Sequence, residues 1–207
     1  MSEIDNAPLK GHANYAAIDD ALRATFVSTV SSLQSALQSG DATVWSATLN
    51  AMSKATNSIY MIFDFDEKGW KGITAEKAVC LIDHLPPITK LYIYNANFGV
   101  DFVDSVSNYI RTTSTLEYLN LYSTEAGGED GRQAGVRLAE AVSSNTTLTK
   151  LWLSTTDLLV EENVEEWAAA LMENKTLTEM CAAGVERWRE PVNEAIKSRT
   201  PVLTISD

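Results

Sequence analysis

The chain has 207 residues, 45% of them apolar and 21% charged, with a formal net charge of −12. This is ordinary globular usage and enough to bury one sizeable core. The acidic balance argues against nucleic acid, which is bound mainly through Lys and Arg. No run of 18 apolar residues offers a membrane span.

The first 30 residues lack a basic start followed by an apolar run, so no secretory signal is expected and the chain reads as cytoplasmic. Ile18, Leu22, Phe26, Val30, Leu33 and Leu37 then step by three or four along one helical stripe ending at Gly40. Such a stripe predicts an amphipathic helix that shields one end of the core. Thr43 to Ala55 predicts a second helix, with Trp45, Leu49 and Met52 inside. Ile59 to Phe63 alternates as a strand does. Asp64 to Glu76 carries acids and a Gly in an order like that of a calcium loop. Lys68 stands where a ligand is needed, however, and the closing acid falls one residue late. A strand-to-helix loop explains the stretch better.

Four related phrases follow: Ile88-Thr89-Lys90-Leu91-Tyr92-Ile93, Leu116 to Leu121, Leu148 to Leu153 and Leu177 to Ala182. From Leu91 to Leu119, Leu151 and Met180 the steps are 28, 32 and 29 residues, and Met61 lies 30 before Leu91. A period of this length predicts a stacked solenoid. Each phrase ends in an alternating strand. Ahead of three of them runs a helical stripe: Val103, Val106 and Ile110, then Leu138 and Val142, then Val164, Trp167 and Leu171. Pro191 to Lys197 predicts one more helix. Val202, Leu203 and Ile205 predict a final strand, with Leu203 placed 23 residues after Met180 as a shortened copy.

The Gly-rich turn Ala126-Gly127-Gly128-Glu129-Asp130-Gly131, the helix through Leu138-Ala139-Glu140-Ala141-Val142, and the exit Ser144-Asn145-Thr146-Thr147-Leu148 resemble the ribonuclease-inhibitor-like class of leucine-rich repeats. Asn174-Lys175-Thr176-Leu177 repeats that exit. Similar repeats occur in tropomodulin and in nucleotide-binding immune receptors. The resemblance implies an α/β, right-handed solenoid with one parallel sheet of about five or six strands, helices on the convex side and an N-terminal helical cap. One domain is expected over 1–207: cap and first helix in 1–57, repeats in 58–185 and a partial repeat in 186–207. After the strand, where the family often places an Asn, this chain has Ala96, Thr124, Thr156 and Val185.

No catalytic apparatus is visible. His12 and His84 are too few for a histidine-rich metal centre, and the glycines at 127, 128, 131 and 135 lack the Lys-Ser/Thr of a phosphate loop. No metal or cofactor is expected. Cys80 and Cys181 lie about three strand intervals apart, beyond the reach of a disulfide, so both are expected as thiols, Cys80 in a helix core. Acids at Glu125 to Asp130 and Asp157 to Glu166 read as solvated residues at helix N-termini, with a basic partner docking on that rim as the alternative.

What remains is a surface. The strand residues that alternate outward make three rows: Tyr60, Lys90, Tyr118, Lys150, Glu179; Ile62, Tyr92, Asn120, Trp152, Cys181; and Asp64, Tyr94, Tyr122, Ser154, Ala183. Tyr and Trp offer large rigid area with a polar handle, which suits recognition. The expected function is a non-catalytic scaffold that binds a protein or peptide on its concave sheet, through Lys90, Tyr92, Tyr94, Tyr118, Asn120, Tyr122, Lys150 and Trp152. The alternative is self-association into a homo-oligomer through the exposed C-terminal strand edge.

Overall fold

Leu91, Leu119, Leu151 and Met180, the residues that count the repeats, are fully buried and stand side by side across one parallel sheet. The structure is a computed structural model that describes residues 31–54, 60–66, 70 and 72–206. Residues 31–39 form helix α1. Then come α2 (Ala42–Ser53), β1 (Tyr60–Asp64), α3 (Ala75–Asp83), β2 (Lys90–Tyr94), α4 (Val100–Thr112), β3 (Tyr118–Tyr122), α5 (Gly128–Ser144) and β4 (Lys150–Ser154). A 3₁₀ turn (Glu161–Asn163), α6 (Val164–Glu173), β5 (Glu179–Cys181), α7 (Glu186–Ile196) and β6 (Thr204–Ser206) complete the order. The six strands lie in sequence order, β1 to β6, and every pair is parallel.

The period-2 alternation explains the inner layer. Met61, Phe63, Leu91, Ile93, Leu119, Leu121, Leu151, Leu153, Met180 and Ala182 all point away from water. Against them lie the helical stripes, with Val103, Val106, Ile110, Leu138, Val142, Trp167 and Leu171 buried as their spacing predicts and Val164 partly so. Helices α3 to α7 each pack beside the next, so strand and helix layers advance together. Each buried Leu contributes about 2 kcal/mol, and only a neighbouring repeat can supply its contacts. Two aromatic groups add shape. Phe63, Phe65, Trp70, Phe98 and Phe102 meet edge to face near β1, and Trp167 meets Trp188 at 5.9 Å in the last repeat.

Two polar devices hold the repeats in register. After β2, β3, β4 and β5 the chain turns through a left-handed residue at one equivalent position: Asn95, Ser123, Thr155 and Gly184, with φ of 57, 50, 52 and 80°. At the helix exits, Asn145 accepts from the Thr147 and Leu148 N–H groups and donates to Ile110 O in the preceding helix. Asn174 does the same one repeat later, donating to Val142 O and Asn145 O at 2.7 and 2.8 Å. After the strands one rung of a side-chain ladder remains, Thr156 Oγ1 donating to Thr124 O, and the asparagines at the helix exits supply the others. Arg199 ends it. Only 2% exposed, it donates to the carbonyls of Leu171, Asn174, Leu177 and Pro201.

The glycines are structural. The Asp157 carboxylate accepts the Ala126 and Gly127 N–H groups at 3.0 and 2.7 Å, capping α5 from the following repeat. A Cβ on Gly131 would lie 2.3 Å from that carboxylate, and one on Gly135 would lie 2.1 Å from Leu158 O.

Some expectations change. The helix expected from Thr43 to Ala55 runs Ala42–Ser53, because Asp41 accepts from the Thr43 and Val44 N–H groups as its N-cap. Helix α7 starts five residues before Pro191, which sits inside it, and β6 aligns Ile205, not Leu203, with Met180. Cys80 is exposed rather than in a helix core, while Cys181 is buried. Of the expected cap helix, Leu33 and Leu37 are buried, whereas Ile18, Leu22, Phe26 and Val30 lie outside the described residues. So do Ala55, Ile59 and part of the calcium-like stretch.

Candidate functional site

Every outward row expected from alternation is reproduced by the register through β4. Lys90 pairs with Tyr118 and Tyr118 with Lys150; Tyr92 with Asn120 and Asn120 with Trp152; Tyr94 with Tyr122 and Tyr122 with Ser154. Lys90, Tyr92, Tyr94, Tyr118, Asn120, Tyr122, Lys150 and Trp152 therefore share one face across β2, β3 and β4. The rows continue to Glu179 and Cys181 in β5, which ends before Ala183.

On this face the rings form one connected belt. Tyr92 and Tyr118 centroids are 5.0 Å apart, Tyr118 and Trp152 5.8 Å, Tyr92 and Tyr94 6.4 Å, and Tyr94 and Tyr122 6.2 Å. The rings shield one another. Tyr92, Tyr118 and Trp152 are half-buried, and Tyr122 is 46% exposed. Tyr94 and Asn120 lie deeper than their outward register suggests, at 6% and 3% exposure. Asn120 sits between Tyr92 and Trp152 in its row and reaches the Tyr118 hydroxyl at 3.5 Å. The Tyr94 hydroxyl is buried with no hydrogen-bond partner among the described residues.

Burial sets the electrostatics of the belt. It pushes the Tyr94 hydroxyl well above the ordinary tyrosine range, with smaller contributions from Tyr92 and Asp64. Tyr118 is raised in the same way, chiefly by burial and next by Tyr92. Both phenols are neutral at physiological pH, available as donors and as apolar surface. Beside them the Lys150 ammonium meets the Glu179 carboxylate at 2.5 Å. Both side chains are more than a third exposed, so the pair contributes at most about 1 kcal/mol. The register alone places these two residues side by side, a signal that the outward rows already carried.

Carboxylates gather at one rim of the sheet. The loops following β1 to β5 carry Asp66, Glu125 and Asp157 among their described residues, with Asp64 at the end of β1 and Glu161 and Glu162 just beyond, and the sequence of the first loop adds Glu67, Lys68 and Lys71. Glu129 and Asp130 occupy the first turn of α5, and Glu165 and Glu166 that of α6, where carboxylates complement the helix N-terminus. Lys90, Lys150 and Lys175 stand near the opposite ends of the strands, among Glu117 and Glu179. Among the described residues no group of three or more His, Cys, Asp or Glu is arranged to hold a metal ion. No helix there is long and apolar enough to cross a membrane.

The order strand, turn, helix in a single parallel sheet, with leucines inward and helices on one side, makes this a leucine-rich-repeat-type α/β solenoid. Among solved structures, a chain described as leiomodin-1 actin-binding site 2 is similar, with a TM-score of 0.57 and 16% identity. The match covers 72% of this chain and 85% of that one. At that identity the likeness establishes the fold. Neither a protein-family model nor a curated protein matches the chain.

Proposed function

We propose that this chain is a non-catalytic interaction module that captures a protein or peptide on its concave sheet. The observation that carries this reading is the connected belt of Tyr92, Tyr94, Tyr118, Tyr122 and Trp152, held on adjacent strands of one rigid sheet. Anchors of this kind bind at low entropic cost because the sheet already fixes them. The leiomodin-1 chain of like fold is an actin-binding site, which supports a protein partner over a small molecule. We read the whole chain as one domain and its repeats as the ribonuclease-inhibitor-like subtype, because the long period and the Asn-Thr-Leu helix exits suit that subtype.

Trp152 gives a direct test. It is half-buried, whereas Trp45, Trp70, Trp167 and Trp188 are buried, so acrylamide quenching reports mainly on the belt. A protein that co-purifies with the chain is expected to shield Trp152 and to slow amide exchange at 90–94, 118–122 and 150–154. Tyr92→Ala with Trp152→Ala is expected to abolish capture. Capture that persists in this variant, with protection confined to the acidic loops, would place the interface elsewhere.

A second reading rests on the sheet edge. The outer edge of β6 is unpaired among the described residues, and nearby Val202 is 78% exposed, so a second copy has a strand to extend. Self-association by this route survives Tyr92→Ala with Trp152→Ala and is lost in Val202→Lys, as sedimentation would show.

A further inference from the structure

The sequence holds two Asn-x-Thr triplets, Asn145-Thr146-Thr147 and Asn174-Lys175-Thr176, each an acceptor signal for N-linked glycosylation. An acceptor that is used lies in a surface loop, because its side-chain nitrogen carries a bulky, hydrated glycan. Here both asparagines face inward. Asn145 is 4% exposed and Asn174 1%. The nitrogens that would take the sugar are already committed: Asn145 Nδ2 donates to Ile110 O at 2.7 Å, and Asn174 Nδ2 donates to Val142 O and Asn145 O. Their Oδ1 atoms accept from the N–H groups of Thr147 and Leu148 and of Thr176 and Leu177. The threonine hydroxyls of the triplets are engaged as well, Thr147 Oγ1 with Leu116 O and Thr176 Oγ1 with Asn174 Oδ1.

A glycan replaces one Nδ2 hydrogen with a ring carbon. At Asn174 both hydrogens are in use, so a bond between repeats is lost and a buried carbonyl is left without its donor. At both sites the sugar needs space that a close-packed interior does not hold. We propose that N-glycosylation and folding exclude each other in this chain, so that it folds in a compartment without oligosaccharide transfer to asparagine. Transfer acts on chains that are still unfolded, when both triplets are accessible, and the modified chain then cannot bury either asparagine. The cysteines agree with this placement. Cys80 and Cys181 are free thiols and Cys80 is exposed, as suits a reducing compartment.

The test sends the full chain into the secretory pathway of cultured animal cells behind a cleavable signal, with and without tunicamycin, which stops synthesis of the glycan donor. Glycan removal by a peptide N-glycosidase reports modification, and limited proteolysis reports folding. Without the drug the chain is expected to carry glycan at Asn145 or Asn174 and to be digested. With the drug, protease-resistant chain is expected to rise at least about tenfold. A second route removes the signals and keeps both asparagines: Thr146→Pro with Lys175→Pro. Asn145 and Asn174 already hold the extended backbone that a following proline demands, with ψ of 137 and 127°. This variant is expected to resist protease in the same pathway without the drug. A glycosylated chain that resists protease overturns the proposal, as does an unmodified wild-type chain that folds there in untreated cells. Equal protease sensitivity of the untreated, drug-treated and variant chains overturns it too, since the glycan would then not be what prevents folding.

Discussion

Arg199 shows how much one side chain at the end of a repeat array has to do. Its guanidinium is buried with no carboxylate partner among the described residues and gathers the carbonyls of Leu171, Asn174 and Leu177 at the exit of α6, where helix geometry leaves C=O groups unpaired and negative. Burial holds its pKa below the usual arginine value, yet guanidinium stays charged at any ordinary pH. Arg199→Ala strands several buried carbonyls and is expected to cost about 3 kcal/mol or more in urea unfolding. Arg199→Lys restores little, because a single ammonium lacks the planar fork. A loss under about 1 kcal/mol would mean that water replaces the guanidinium at no great cost. Thr155 carries the opposite defect. A β-branched residue at φ 52° is strained where the next repeat uses Gly184. Thr155→Gly is expected to raise stability by about 1 kcal/mol, and Gly184→Ala to lower it by a similar amount, with the concave face unaltered.

At the scale of strands, Tyr94 and Tyr118 tie the concave face to pH. Their folded pKa values lie above the ordinary value of 10, so at high pH the folded chain holds protons that the unfolded chain has released. Stability is then fully present below about pH 10 and falls as pH rises beyond it. Tyr94→Phe is expected to flatten that alkaline fall. Near neutral pH it should cost nothing or stabilise slightly, since the buried hydroxyl has no partner among the described residues. Urea midpoints at about pH 8 and about pH 11 decide it, and an unchanged alkaline slope would mean that Tyr94 ionises as freely as in the unfolded chain. The strands were also the most legible elements. A period of two assigns faces without ambiguity, and aligned leucines gave the register of β1 to β5. The last repeat was less legible. Pro191 reads as a helix start, although this helix begins earlier and carries the proline in its body. The register of β6 could not be counted once its leucine phrase was lost. Alternation also found the outward face but not its depth, because the burial of Tyr94 and Asn120 is set by rings on neighbouring strands. The tie from Asp157 to α5 lies 30 residues from Gly127 in sequence and carries no local pattern.

Among the described residues, contacts run from each repeat to the next, so a repeat with a neighbour on one side only is a weak point. The C-terminal end is closed by α7 and β6: Trp188 lies against Trp167, β6 hydrogen-bonds to β5, and Arg199 covers the Asn174 exit. Removing 186–206 takes away all three at once and uncovers Leu171, Leu177 and Met180, each of which is fully buried. Nearest-neighbour energetics predict that the damage is graded. Amides of β5 and α6 should lose most of their protection from hydrogen exchange, β4 should lose part, and β2 and β3 should keep theirs, since the repeats on both sides of them are intact. The array behaves otherwise if it folds as one cooperative unit. In that case peptides from β2 to β5 would lose protection together in the truncated chain, and the closing contacts of α7 would be supporting a sheet edge four strands away. Mass-spectrometric exchange on the full and truncated chains separates the two outcomes. The graded pattern is expected because each buried leucine row is completed by its immediate neighbours and by nothing further along the stack.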